Sequence, residues 1–253
     1  MQTTINYIVK GEGSPVVWLH GFMEDLSIWE ELTNAIPDKQ HICIDLLGHG
    51  RTPSQANVHG MQLQTDIVDQ VLRKLTITNF ALVGHSMGGY IGLELLKKYP
   101  NECTHFVLLN STSYEDSPIK KQNRVRALRI VDQQKDSYAR MGIVNLFSPN
   151  YREQFSVEIE RLIKVAQNTS CKGIKAALEG MKAREATTEI LAHFQGKKLM
   201  ISGKEDPIIP IENAREEAQK TNCQFVQVSG GHMSYLEDFH ATTRILNGFL
   251  KEL

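Results

Sequence analysis

The stretch Phe80 to Tyr90, FALVGHSMGGY, carries an apolar run through Gly84-His85-Ser86-Met87-Gly88 into a helix-forming segment. A serine squeezed between strand and helix takes a strained backbone conformation, and small residues two positions either side relieve the crowding. The hydroxyl then stands at the carboxyl end of a sheet and at the N-terminus of a helix, where free N–H groups favour a developing oxyanion. Ser86 is therefore a candidate nucleophile, and the main-chain N–H of Met87 a candidate oxyanion donor. G-x-S-x-G alone is a weak pattern, since a serine in a glycine-rich turn also serves simply as a helix cap.

A second donor is needed, and His20-Gly21-Phe22 directly follows the run Val16 to Leu19. A sharp turn at Gly21 lets the Phe22 amide face the same point as that of Met87. His20 reads as a buried, hydrogen-bonded loop histidine.

A serine hydroxyl requires a base, to be chosen among nine histidines. His232, in Gly230-Gly231-His232, follows the last strand-like run, where a loop can reach back over the sheet edge. His85 adjoins Ser86 but should project away from it; His49, His193 and His240 read as surface or packing residues. The base needs an orienting carboxylate, and Asp206 in Gly203-Lys204-Glu205-Asp206-Pro207 follows its own run, biased to an extended conformation by the proline. Glu205 is the fallback. After Phe106 to Leu109 the sequence offers Asn110 and Ser111 and no acid, which strengthens Asp206.

These residues need a frame. Short apolar runs at Val16 to His20, Ile42 to Leu46, Phe80 to Val83, Phe106 to Leu109, Leu199 to Ser202 and Gln224 to Val228 alternate with helical periods. That is the sequence form of an α/β fold, a parallel sheet covered on both faces. Thr3 to Val9 alternates weakly before GEGSP, which predicts an edge strand or hairpin. Val68, Val71, Leu72 and Leu75 form one helical stripe, and Leu236, Phe239, Thr243, Leu246 and Leu250 another. From Ser113 to Gln195 no strand-like run occurs; Ile159, Leu162, Ile163 and Ala166, then Ile174, Ala177, Leu178 and Met181, make successive stripes, with Ser148-Pro149-Asn150 as a breaker.

The stretches VVWLHGF, DLLGHGRT, LVGHSMGGY, SGKEDPIIP and SGGHMSYLED together resemble the α/β-hydrolase superfamily over essentially the whole chain. The order Ser86, Asp206, His232 is the order of that family and differs from both serine-protease orders. The resemblance implies a three-layer fold with a mostly parallel sheet of seven or eight strands. The core spans 1–112 and 196–253, and a helical cap, 113–195, is inserted in it. It implies an architectural role for Asp45, Gly48, Gly50 and Arg51 in DLLGHGRT. The chain is most similar to small carboxylesterases, enol-lactonases and cofactor-free haloperoxidase-like proteins, and Ser86 stands where dehalogenases and epoxide hydrolases of this fold carry aspartate.

The expected activity is hydrolysis of an ester, lactone or related acyl bond, with Phe22, Met23 and Met87 beside the substrate. Two other uses stay open. One is a lyase of the menaquinone-pathway type, with Arg124, Arg126 and Arg129 meeting an anionic substrate; those arginines equally suit a solvated helix face. The other is a non-hydrolytic ligand receptor.

Composition sets the outer limits. A formal net charge of −1 over 253 residues gives no general pull toward nucleic acid or anionic membrane, so a small molecule is the expected partner of a monomer or homodimer. The N-terminus lacks the pattern of a secretory signal and no apolar run approaches the roughly 18 residues of a membrane span, which predicts a cytoplasmic protein. Cys43, Cys103, Cys171 and Cys223 show no metal spacing and read as reduced packing residues. No metal or organic cofactor is expected.

Overall fold

The structure, a computed structural model, describes residues 4–251. The N-terminal alternation and the six apolar runs form seven strands: β1 (Tyr7–Lys10), β2 (Ser14–Leu19), β3 (Lys39–Ile44), β4 (Phe80–His85), β5 (Cys103–Leu109), β6 (Lys197–Gly203) and β7 (Gln224–Val228). They form one sheet in the order β1-β3-β2-β4-β5-β6-β7, parallel except for β1. Val16 to Leu19 and Phe80 to Val83 are buried on both sides, which is why these strands read as continuous apolar runs.

β1 is the expected edge strand, but it pairs antiparallel with β3 and makes no hairpin with β2. Thr3, where the weak alternation begins, lies outside the described residues.

A 3₁₀ turn (Leu26–Trp29) and α1 (Glu30–Ala35) join β2 to β3, α2 (Met61–Lys74) joins β3 to β4, and α3 (Met87–Lys98) joins β4 to β5. The chain steps one way along the sheet from β2 to β3 and the other way from β3 through β4 to β5. Right-handed crossovers therefore put α1 on the face opposite α2 and α3. α8 (Ile211–Lys220) packs on β6 and β7, and α10 (Phe239–Leu250) meets α1. The reversal of direction falls between β2 and β4, the position at whose carboxyl ends open parallel sheets bind their ligands.

Between β5 and β6 the chain forms α4 (Pro118–Val144), α5 (Ser156–Asn168), α6 (Cys171–Ala183) and α7 (Thr188–His193). Ser117 caps α4, with Pro118 in its first turn, and Ser170 caps α6 by accepting the Gly173 N–H at 3.0 Å. The stripes read from α5 and α6 are buried, and both helices pack on α4. α4 is kinked at Gln134 (φ −146, ψ 53). The breaker Ser148-Pro149-Asn150 lies between α4 and α5.

The C-terminal stripe differs in detail. The chain breaks at Asp238 between α9 (Ser234–Glu237) and α10, which leaves Leu236 on α9 and buries Thr242 in place of Thr243. The four thiols are free; burial pushes those of Cys43 and Cys223 up to about 12, so both stay protonated as packing groups. Among the described residues no helix is long and apolar enough to cross a membrane.

Candidate active site

Ser86 joins β4 to α3 with φ 50 and ψ −115, a region costly for any residue with a Cβ. Three hydrogen bonds hold it there: Ser86 N–H to the Leu109 carbonyl at 3.1 Å, Gly89 N–H to the Ser86 carbonyl at 3.0 Å, and Ser111 Oγ–H to the same carbonyl at 2.7 Å. The turn closes because two side chains are missing. A Cβ on Gly84 would lie 2.6 Å from the Gly88 carbonyl oxygen, and one on Gly88 would lie 2.1 Å from that of Leu19. The first turn of α3 thus rests directly on the end of β2. Met87 opens that helix, and Phe22 follows three residues after the end of β2.

His232 lies in the loop after β7. Its Nε2 is 2.9 Å from Ser86 Oγ, and its Nδ1 is 2.8 and 3.0 Å from the two carboxylate oxygens of Asp206. A carboxylate only accepts, so Nδ1 carries the hydrogen and Nε2 is left to accept from the serine hydroxyl. Asp206 also accepts the N–H groups of Ile208 (2.8 Å) and Ile209 (3.0 Å) and the Asn110 amide (2.9 Å). Burial by itself raises its pKa, but His232 and these donors outweigh burial and hold the carboxyl below its ordinary range. The structure thus brings Ser86, His232 and Asp206 into one hydrogen-bonded line, which can move a proton from the serine hydroxyl to the imidazole.

Residues read as incidental in the sequence support that line. Asn110 donates to Asp206 and to the Gly231 carbonyl at 3.1 Å, and accepts from Ser234 Oγ. Glu205, the fallback acid, is not on His232; it accepts from Ser148 Oγ and from Asn150 Nδ2 at 2.8 Å, so it holds the segment between α4 and α5. That segment is tied to the His232 loop as well, through His232 N–H to the Leu146 carbonyl at 2.8 Å. Glu237 bridges the two by accepting the N–H groups of Ser148 (2.9 Å) and Gly231 (2.8 Å). Burial pushes the Glu237 carboxyl up to about 7.

The remaining candidates are placed as follows. Phe22 is half-buried with its ring edge-on to His49 at 6.0 Å, and Met23 (φ 62) is buried with its methyl end against Gly142 of α4. Arg124 is bonded through Nε to buried Asp116, which Arg184 also meets at 2.7 Å. The cation proposed for an anionic substrate therefore already has a carboxylate partner. Arg126 is exposed and reaches Asn123, while Arg129 lines a surface groove beside Asp132.

The other histidines divide as expected. His20 donates to the Gly21 carbonyl and accepts the Leu46 N–H at 3.0 Å. His49 is buried, and burial pushes its pKa down to about 3; His193 and His240 are exposed. Asp45 accepts from Asn6 (2.7 Å) and from the N–H groups of Leu26 and Arg51 (both 2.8 Å), the architectural role implied for its loop. Glu24, beside His85, and Glu237 are acids near the site that carry no local mark in the sequence.

A strand, a strained serine and a helix at the carboxyl edge of a parallel sheet, with a carboxylate-bound imidazole on the serine, define the α/β-hydrolase class. The family model for the alpha/beta hydrolase fold matches residues 14–150, and the chain belongs to that family. Its structure is similar to a thermophilic esterase from Thermogutta terrifontis, with a TM-score of 0.93 and 25% identity, covering 99% of this chain and 94% of that one. It is also similar to the enol-lactonase of Burkholderia xenovorans LB400, with a TM-score of 0.91 over 98% of this chain and 97% of that one; at 22% identity this likeness carries the fold alone. The 2-succinyl-6-hydroxy-2,4-cyclohexadiene-1-carboxylate synthase of Shigella flexneri serotype 5b is 37% identical, but over only 31% of each chain.

Proposed function

We propose that this protein is a serine hydrolase that cleaves a carboxylic ester, lactone or related acyl bond of a small molecule through an acyl-enzyme. The observation that carries the reading is the 2.9 Å contact from Ser86 Oγ to an imidazole whose other nitrogen is fixed on Asp206. Ser86 Oγ attacks the carbonyl carbon as His232 Nε2 takes its proton. The oxygen, now negative, is met by the N–H groups of Phe22 and Met87. The bond to the leaving oxygen then breaks, and His232 returns the proton to it. A water, deprotonated by the same imidazole, attacks the acyl carbon and frees Ser86. One oxyanion donor of this kind is worth about 10² to 10³ in rate.

Substrate choice falls to Phe22, Met23 and the helical insertion, which acts as the cap. A lyase working on a dicarboxylate needs uncommitted cations at the site; Arg124 is held by Asp116, while Arg126 is exposed and Arg129 lines a surface groove, which favours the hydrolase. The test is labelling by a fluorophosphonate probe, together with turnover of a panel of short-chain p-nitrophenyl esters, lactones and thioesters. Wild type is expected to label and turn over, and Ser86→Ala to do neither; labelling that survives in Ser86→Ala refutes the assignment.

A further inference from the structure

Two buried ionisable groups beside the triad take no part in the proton transfer just described. They are Glu24 and His85, both inaccessible to solvent. His85 Nε2 lies 3.0 Å from the main-chain oxygen of His232, and its Nδ1 lies 3.0 Å from Glu24 Oε2. Because a carbonyl oxygen only accepts, Nε2 must carry a hydrogen, and the hydrogen between Nδ1 and Glu24 is shared by the pair. Burial disfavours both charges, but their mutual attraction outweighs it, lowering the pKa of Glu24 and raising that of His85. Both directions favour the carboxylate–imidazolium form of the pair.

The same Glu24 Oε2 accepts the N–H of Gly21 at 2.5 Å, one residue ahead of Phe22. One carboxylate thus reaches the loop after β2 and the residue before Ser86, and acts through His85 on the backbone of His232. These are the three segments that must meet for the chemistry. The bond to Asp206 restrains the His232 side chain, whereas this second line restrains its main chain.

We propose that Glu24 and His85 are positioning residues for the reaction at Ser86, their ion pair fixing the His232 backbone and the Phe22 loop against the strand-to-helix turn. This rests on the reading of Ser86 as a hydrolytic nucleophile. A glutamine at position 24 cannot reproduce the arrangement. With its oxygen toward Gly21, His85 is left either as a cation without a counter-charge or with a bare Nε2 facing the His232 carbonyl. With its nitrogen there, two donors oppose each other.

The test uses the full chain, a short-chain p-nitrophenyl ester, and kcat and KM measured across pH. Glu24→Gln is expected to lower kcat about 10- to 100-fold, the loss of one buried charge-assisted hydrogen bond, with KM nearly unchanged. His85→Gln keeps an N–H toward the His232 carbonyl but removes a positive charge whose ring centre is 5.2 Å from that of His232. The groups facing the His85 ring are Glu24, His232, Tyr235 and, further off, Asp206. Removing a positive charge this close to the reacting groups is expected to move the acid limb of kcat/KM upward by about 1 to 2 pH units.

A role in packing alone moves neither the kcat-to-KM split nor the acid limb. If both variants keep wild-type kcat and wild-type acid limbs while Ser86→Ala is inactive, the positioning role is refuted and the hydrolase reading stands. If Ser86→Ala keeps its labelling and turnover, both fall together. Should Glu24→Gln not fold, His85→Gln decides the matter on the same acid limb.

Discussion

Replacing Asp206 by asparagine separates the electrostatic work of this carboxylate from its shape. Asp206 accepts from His232 Nδ1, from Asn110 and from two backbone N–H groups. In Asp206→Asn the amide oxygen is expected to stay with the N–H groups of Ile208 and Ile209, both of which donate to Oδ1. The amide nitrogen then stands in place of Oδ2, 2.8 Å from His232 Nδ1, where it favours an Nδ1 that accepts over one that donates to the amide oxygen at 3.0 Å. The imidazole flips tautomer, Nε2 acquires the hydrogen, and the acceptor for the Ser86 proton is gone. The second loss is the attraction between carboxylate and imidazolium. At 2.8 Å and an effective dielectric constant of about 20 this has a ceiling of about 6 kcal/mol, or about four decades in rate. The same exchange in the general serine triad costs about 10⁴. We expect kcat on a short-chain p-nitrophenyl ester to fall by about 10³ to 10⁴ while KM changes little. A kcat within tenfold of wild type, for a folded variant, refutes the assignment of Asp206 as the orienting acid.

Gly88→Ala would push a methyl group to 2.1 Å from the Leu19 carbonyl oxygen, a backbone atom that cannot step aside. The melting temperature is expected to fall by the equivalent of about 1–3 kcal/mol and fluorophosphonate labelling to slow sharply, and wild-type behaviour in both would show that the contact yields. Burial raises the Glu237 carboxyl from 4.5 to about 7, so its folded-state pKa exceeds the unfolded one. Its stabilising contribution is complete below about pH 4.5 and is lost as pH rises through about 7. The melting temperature is therefore expected to drop, on the order of 5 °C, between pH 6 and 8, and Glu237→Gln to remove that part of the slope; an unchanged slope in the variant refutes it.

What the sequence made legible was local. Ser86 and its flanking glycines are neighbours in the chain, and the strain of a strand-to-helix turn leaves its mark on residue types within a few positions. The apolar runs likewise declare the strands, because a parallel strand buried on both faces has no polar positions to spare. His232 and Asp206 could be found for a related reason, since each follows its own strand and a parallel sheet sends every such loop to the same edge. The N-terminal run left an edge strand and a hairpin both open, because local turn chemistry does not say which strand becomes the neighbour; β1 is the edge strand, with β3 between it and β2.

The polar partners beyond the triad had no such local mark. Glu24 meets His85 across 61 residues, and Glu237 meets Ser148 across 89. An acid in a loop looks alike in sequence whether it faces water or an imidazolium; only the packed fold removes the water that would otherwise screen it. The same limit applied to Asn110, noticed only because it was not an acid, although its amide braces Asp206 and the His232 loop together. Asn110 sits at the end of β5 with φ 45, a left-handed conformation that asparagine tolerates better than most residues with a Cβ. Had position 110 been read for backbone conformation as well as for charge, its use as a bracket would have been open to inference. Residues in turns at the carboxyl ends of such strands therefore call for two questions at once: which backbone they allow, and which unsatisfied carboxylate lies within reach.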